Sequence, residues 1–384
     1  MFLDVLRRRN PAFISAAIEL QQAGAIPAAA YVLDLDAVER NAGLIAAEAG
    51  RLGLTVFAMT KQVGRHPGFV DAVRRGGIEA GVAVDMECVR ALRDAGMPLG
   101  HVGHLVQVPR HNAAEAAATA PANWTVFDRT KAAEAAAAAR AAGRQQALLA
   151  RIVAPGDTFY LGHEGGFDAA ETEAVADDLD ALDGARFAGI TTFPALLYDG
   201  ERREVAPTPN LSTLSRAAER LAAAGRRDVQ INAPGTTASR ALATLAAAGA
   251  TQVEPGHGLT GTTPQHAVRD LAELPAALYI GEISHHHGGR AYCYGGGMYV
   301  DPVFPPYQVR ALVGRDGDLA SAALVDAELP PPAAIDYYGM LDQPAGRRIE
   351  AGSSAVFGFR IQAFHVRAPV VGVRGVVAGD PRVV

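Results

Sequence analysis

The stretch Leu54–Thr55–Val56–Phe57–Ala58–Met59–Thr60–Lys61–Gln62, set between Gly53 and Gly64, decides how the rest of the chain is read. A short apolar, β-compatible run bounded by glycines predicts a strand buried on both faces, as in parallel sheets. It ends in a lysine, and an unpaired ammonium at the end of a buried strand is costly. Lys61 and Lys131 are the only lysines among 35 basic residues. Lys131 opens an alanine-rich stretch and can sit in water; Lys61 cannot easily do so. Arginine fills a generic cationic role but stays protonated, whereas a desolvated lysine can lose its proton and become a nucleophile. The sharper reading is a covalent lysine; the plainer one is a lysine snorkelling from a strand end.

Outward from this strand a rhythm appears. Residues 1–27 read as a partly amphipathic helical segment, then 28–35 as a strand, with Asp36 placed to cap a helix over 37–52. Short apolar runs follow near 56–59, 78–84, 101–106, 124–127, 147–153, 187–192, 229–231 and 251–253. Helical patterns lie between most of them, as at 86–95, 132–142, 214–224 and 238–248, commonly closed by Gly96, Gly143, Gly225 or Gly249. Strands alternating with helices imply parallel units, and eight of them predict a closed (β/α)8 TIM barrel. Periodicity alone leaves an open doubly wound sheet as the alternative. After about residue 270 the helical rhythm stops, and runs such as 276–280, 308–313, 355–361 and 370–377 predict a mostly β domain. The expected organisation is a helical segment 1–27, a barrel 28–270 and a C-terminal β domain 271–384.

Composition sets the outer limits. With 384 residues, 49% apolar and 20% charged, the chain is long enough for more than one core. A net charge of −6 argues against nucleic acid as the main partner. No uninterrupted apolar stretch is long enough for a bilayer, and no secretory signal is visible at the start. Cys88 and Cys293 are too few for a disulfide framework, so a cytoplasmic location is expected.

In a (β/α)8 barrel chemistry sits at the carboxyl ends of the strands, and phosphate commonly binds after the seventh and eighth. Those positions carry Asn232–Ala233–Pro234–Gly235–Thr236–Thr237–Ala238–Ser239 and Glu254–Pro255–Gly256–His257–Gly258–Leu259–Thr260–Gly261. Small residues entering a helix expose backbone N–H groups and hydroxyls to an anion. Two such turns with a lysine on the first strand fit a phosphate-bearing cofactor that condenses with an amine: pyridoxal 5'-phosphate.

The residues Tyr31–Val32–Leu33–Asp34–Leu35–Asp36–Ala37–Val38–Glu39–Arg40–Asn41, Ala58–Met59–Thr60–Lys61 and Val253–Glu254–Pro255–Gly256 resemble the fold-type III pyridoxal-phosphate enzymes. That family includes alanine racemase and the ornithine/diaminopimelate decarboxylases. The whole chain is similar to the YhfX-like group, classed with amino-acid racemases. The matching stretches are Met59–Thr60–Lys61–Gln62, Gly103–His104–Leu105–Val106–Gln107, Pro207–Thr208–Pro209–Asn210–Leu211, Glu254–Pro255–Gly256–His257, Glu282–Ile283–Ser284–His285–His286 and Tyr292–Cys293–Tyr294–Gly295–Gly296–Gly297. The resemblance makes Lys61 the Schiff-base lysine and sets Glu254 against the pyridine nitrogen, where the decarboxylases have a glutamate and alanine racemase an arginine. A carboxylate there favours the protonated ring and a stronger electron sink. It further implies cofactor contacts from Asn232, Gly235, Thr236, Thr237, Gly256, His257 and Gly258. Relatives carry a histidine beside the ring on the sixth strand; Thr192 stands in its place here, so stacking by an imidazole is not available from that position. His257 replaces an arginine that often follows the Glu-Pro-Gly of the decarboxylases.

Racemisation needs a proton donor on each face of a planar carbanion. In relatives the second comes from a Tyr or Cys in the β domain of the other subunit, which implies a homodimer with shared sites. Cys293 is preferred here, because a thiol beside a cationic, polar site can be tuned toward neutrality; Tyr294 is the rival, since strand neighbours point oppositely. The run His285–His286–His287 has no second ligand cluster with zinc spacing, so no metal is expected. Arg290 and Arg151 are candidates to hold a substrate carboxylate. The expected activity is racemisation or epimerisation of an amino acid. A decarboxylase of the same fold, motivated by Glu254–Pro255–Gly256, and a non-catalytic cofactor-binding protein are the alternatives; the long β domain argues against the last.

Overall fold

The computed structural model describes residues 1–301, 306–331 and 333–384. Eight parallel strands, Thr55–Met59, Ala80–Ala83, Leu99–Val102, Asn123–Val126, Gln146–Val153, Ala185–Thr191, Gln230–Asn232 and Gln252–Val253, pair in sequence order. The last pairs with the first, Gln252 beside Thr55 and Val253 beside Val56, so the sheet closes into the barrel that the alternation predicts. An open sheet is thereby excluded. Short polar side chains cap the intervening helices: Asp85 accepts from the Cys88 N–H and Asp128 from the Lys131 N–H.

The C-terminal part of the chain forms a second closed ring of six antiparallel strands: Ala277–His287, Arg290–Tyr294, Tyr338–Asp342, Ala323–Glu328, Val309–Gly314 and Ser354–Phe357. The first of these is long enough to serve several partners because its register shifts between Ile283 and His285. The strand Ala29–Asp34, although it precedes the barrel in sequence, pairs antiparallel with 277–281 and parallel with 370–373. The helices Phe2–Arg9 and Pro11–Gln22 also pack there, with Phe13, Ile14 and Ile18 fully buried among Leu278, Ile280, Leu312 and Val356. Burial of each such side chain stabilises by roughly 1.5–3 kcal/mol. Among the described residues, no helix is long and apolar enough to cross a membrane.

Three local differences from the sequence reading have physical causes. The helix Leu35–Arg51 starts two residues early, because buried Asp34 supplies the cap to the Ala37 N–H; Asp36 instead accepts from Arg374 and the Gly375 N–H. The third barrel strand stops at Val102 rather than 106. Gly103 turns the chain at φ 78°, and a Cβ there would lie 2.7 Å from the Thr125 carbonyl oxygen. The turn puts His104 beyond the strand, at the carboxyl-end mouth. The helix expected over 238–248 shortens to Leu242–Ala247 behind a 3-10 turn, Ser239–Ala241.

Candidate active site

A cavity of about 280 Å³ opens where the carboxyl ends of the barrel strands meet the C-terminal lobe. Lys61 enters it from the 3-10 turn Lys61–Val63 directly after the first strand. Among the described residues its Nζ has no hydrogen bond or ion pair; it lies 5.3 Å from the centre of the Phe364 ring. Burial pushes the amine below the usual lysine range, with the charges of Arg360 and Arg65 acting the same way and Asp85 opposing them. A half-buried, partnerless amine of lowered basicity is a poised nucleophile.

Glu254 follows the eighth strand, and its two oxygens have opposite surroundings. Oε1 lies 2.5 Å from His101 Nδ1 and accepts from Asn232 Nδ2 at 2.8 Å. His101 Nε2 lies 2.6 Å from Thr125 Oγ1, and Thr191 Oγ1 donates to Asn232 Oδ1 at 2.7 Å. Because an ionised carboxylate only accepts, His101 donates through Nδ1, and its Nε2 is paired with the Thr125 hydroxyl. Oε2 has no donor: His104 Nε2 stands 3.6 Å away, too far for a hydrogen bond. Burial alone would raise this carboxyl; His104, His101 and the His101 and Asn232 hydrogen bonds outweigh it and hold the group well below the usual carboxylate range. His104 lines the cavity edge-on to Phe193, neither ring nitrogen has a partner, and burial pushes it down to about 3, so it is neutral at pH 7.

The two glycine turns meet. A Cβ on Gly258 would lie 2.3 Å from the Thr237 carbonyl oxygen, one on Gly235 2.6 Å from the Leu196 nitrogen, and one on Gly256 2.6 Å from Gln62 Nε2. Close approach of backbone therefore requires glycine at Gly258 and Gly235, whereas Gly256 faces the Gln62 side-chain amide. Among the described residues, no acceptor meets the N–H groups of Thr237, Ala238, His257 or Gly258. Of these, Thr237 and His257 line the cavity, so each turn brings an unpaired donor to it, the makings of an anion cradle.

Of the residues singled out from sequence, Lys61, Gly235, Thr236, Thr237, Glu254, Gly256 and His257 line the cavity. Asn232 stands behind Glu254 and Gly258 behind the turn. Thr192 is buried with an unpaired hydroxyl but does not form the wall; the imidazoles of His104 and His163, from other loops, do. His257 spends its Nε2 on the Ile361 carbonyl at 2.8 Å, clipping the C-terminal lobe onto the turn. Cys293 does not match its expectation. It is 0% exposed inside the C-terminal lobe beside Gly339 and Met298, and burial pushes its thiol up to about 12, opposite to the tuning a proton donor needs. Tyr294 points the other way and is 36% exposed.

Neither arginine offered for a carboxylate lines the cavity. Arg290 is at the surface with Glu328 and Asp342; Arg151 is buried over the Phe127 ring and donates to the His163 carbonyl. Arg360, held by Asp301, which also accepts from Gln362, was missed and does line it. His285 stacks on Tyr292 and His286 bonds to the Ile349 carbonyl, so these histidines do not converge with Cys293. His101, His104 and Glu254 are the one group among the described residues with ligand atoms close enough for a metal ion. His101 and Glu254 are hydrogen-bonded to each other there. Polar residues inside apolar runs, His101 at 101–106 and Arg360 at 355–361, were the available signals for these misses.

This lysine, carboxylate and anion cradle on a parallel barrel with an antiparallel second lobe define a fold-type III pyridoxal-phosphate enzyme, and the chain belongs to the alanine racemase-like family of that class. Residues 33–264 match the family Alanine racemase, N-terminal domain, and residues 278–383 match the YhfX-like, C-terminal domain. The chain is 38% identical over 384 residues to Uncharacterized protein YhfX of Escherichia coli (strain K12), covering 100% of this chain and 97% of that one. Among solved structures it is similar to alanine racemase of Clostridium difficile 630 in complex with cycloserine (14% identity, TM-score 0.65, 93% and 97% of the two chains). It is also similar to D-threonine aldolase from Filomicrobium marinum (19%, TM-score 0.64, 90% and 91%) and to D-threo-3-hydroxyaspartate dehydratase from Delftia sp. HT23 (18%, TM-score 0.63, 93% and 97%). These three likenesses establish the fold.

Proposed function

We propose that the protein is a pyridoxal-phosphate-dependent amino-acid racemase or epimerase. The observation that carries the reading is the partnerless Lys61 amine in one cavity with the open Oε2 of Glu254 and the unpaired N–H groups of the two turns. These residues fit the cofactor: an amine for its aldehyde, a carboxylate oxygen for its ring N–H, and backbone donors for its phosphate. When bound, the cofactor would take up the electron pair left as a Cα–H bond breaks. Ionised Glu254, oriented by His101 and Asn232, would hold the ring nitrogen of the bound cofactor in its protonated form. Lys61 removes or returns the Cα proton on one face. Tyr294 of a second copy, exposed on the C-terminal lobe, is the acid on the other, which makes the active form a homodimer with shared sites; Cys293 has no part in it. A decarboxylase is the second reading, favoured specifically by the carboxylate at Glu254.

The test is exchange of Cα–H for solvent deuterium across a panel of L- and D-amino acids by NMR, with borohydride reduction and peptide mapping on the same sample. A cofactor adduct on Lys61, exchange with loss of enantiomeric purity, and a tenfold or greater fall in Tyr294→Phe are expected. Carbon dioxide release without racemisation decides for the decarboxylase, and an unmodified Lys61 peptide overturns both.

A further inference from the structure

The cavity wall contributed by the C-terminal lobe contains one arginine among the described residues, and its hydrogen bonds are asymmetric. Arg360 Nη1 donates to Asp301 Oδ2, and Gln362 Nε2 donates to the same oxygen at 2.7 Å. Asp301 is itself buried, so one end of the guanidinium is locked. The other edge, Nε and Nη2, has no acceptor among the described residues, although Nε is buried and only 14% of the side chain is exposed. A guanidinium fixed at one end and bare along its side-on edge matches the planar, two-oxygen geometry of a carboxylate. An ordinary solvated arginine would not be fixed this way, and Arg360, unlike Arg151 and Arg220 with their own unpaired nitrogens, lines the cavity.

We propose that Arg360, oriented by Asp301 and Gln362, is the binding residue for a carboxylate of the substrate. The assignment rests on the amino-acid reading above and deepens it: ligands of this pocket carry a carboxylate that meets the C-terminal lobe, while the barrel holds the cofactor. A phosphate group shares the oxyanion chemistry and is the competing occupant. The geometry disfavours it, because Thr237, Ala238, His257 and Gly258 already offer a backbone cradle with nothing in it from the protein. Phe364 lies over Lys61 on the same C-terminal segment as Arg360, so this segment stands beside the reactive amine. A carboxylate on Arg360 would therefore hold a substrate within reach of Lys61.

The experiment measures binding of acetate, by NMR line broadening of 13C-acetate, to the protein as purified and to Arg360→Gln and Arg360→Lys. Inorganic phosphate is titrated in parallel, and the rate of cofactor loss is followed from its absorbance. Arg360→Gln should weaken acetate by about 30-fold, the factor carried by one charge-assisted hydrogen bond. Arg360→Lys, which keeps the charge without the fork, should recover only part of it. Cofactor loss should stay within about twofold of wild type. Asp301→Asn gives an independent check if Arg360→Gln folds poorly, since it frees the guanidinium without removing it and should weaken acetate less. Acetate affinity within threefold of wild type in Arg360→Gln overturns the proposal. So does cofactor loss accelerated tenfold with acetate binding intact, which would assign Arg360 to phosphate. Failure of the amino-acid reading shows separately, as an unmodified Lys61 after borohydride, because acetate binding does not depend on that bond.

Discussion

Replacing His101 with leucine isolates the buried support of Glu254. The substitution removes the donor 2.5 Å from Oε1 and leaves Asn232 Nδ2 at 2.8 Å, so the carboxylate loses one of two hydrogen bonds. A hydrogen bond to a charged group is worth about 1.5–3 kcal/mol. Thr125 Oγ1, also buried, loses its hydrogen-bond partner at a further cost of about 1–3 kcal/mol. Burial of the leucine side chain offsets about 1.5 kcal/mol of this. The net expected destabilisation is roughly 3 kcal/mol. The same lost bond raises the Glu254 pKa by about 1 to 2 pH units. Glu254 sits below its unfolded value, so its contribution is present above the unfolded pKa and is lost as pH falls through the folded one. In the variant those two values approach each other, and the acid limb of the stability curve below about pH 4.5 flattens.

Trp124 is the only tryptophan, lies in the fourth barrel strand next to Thr125, and is buried. Its fluorescence during urea unfolding therefore reports the barrel transition, which matters because a two-lobed chain of this size need not unfold in one step. Thr125→Val serves as the control: it should cost about 1 kcal/mol alone and much less on top of His101→Leu, since both act on one chain of hydrogen bonds. A His101→Leu effect below about 1 kcal/mol with an unchanged denaturant slope, or strict additivity with Thr125→Val, would refute the relay.

His104→Phe tests the second buried imidazole. His104 stays neutral in the fold down to about 3, whereas the unfolded chain takes up a proton near pH 6.5, so wild type loses up to about 1.4 kcal/mol per pH unit from this group as pH falls between those values. The variant should show a shallower fall of the urea midpoint from pH 6.5 to 4.5; an unchanged slope would mean the imidazole is solvated and charged in the fold. Gly258→Ala sets a Cβ 2.3 Å from the Thr237 carbonyl, which must push the turns apart; we expect about 1–3 kcal/mol of destabilisation and cofactor loss at least tenfold faster by absorbance. Retention at the wild-type rate would show that the meeting of the turns is not what shapes the anion cradle.

What sequence patterns reveal here is whatever repeats or punctuates locally. The barrel was legible because each short apolar run and each glycine cap is a signal within a few residues, and Lys61 stood out because it interrupts such a run. Arg360 was not legible, because its meaning comes from Asp301 and from a cavity built by residues three hundred positions away. Cys293 and Tyr294 show the limit sharply. Alternation along the strand correctly places them on opposite faces, but which face looks inward depends on how Arg290–Tyr294 pairs with 338–342 and closes the second ring. The thiol was given the polar side, and the closed ring gives it the core. The helix cap moved from Asp36 to Asp34 for a similar reason: Asn10 and the strand end fix Asp34 from a distance in sequence.

The two lobes divide the cavity in a way that bears on why one fold carries several chemistries. On the reading proposed above, the barrel's Lys61, Glu254 network and two turns would address the cofactor. The segment after Ser354–Phe357 contributes Arg360, Gln362 and Phe364, and it is clipped to the barrel through Ile361 and His257. A change in that segment would alter what is bound without disturbing the amine or the ring-nitrogen partner. The broad match of this chain is to a barrel family and its narrow match is to a C-terminal domain type, in line with that division. Exchanging residues 358–365 for the corresponding segment of a fold relative should therefore change which carboxylates bind while the Lys61 adduct persists, and loss of the adduct itself would show that the lobes do not act separately.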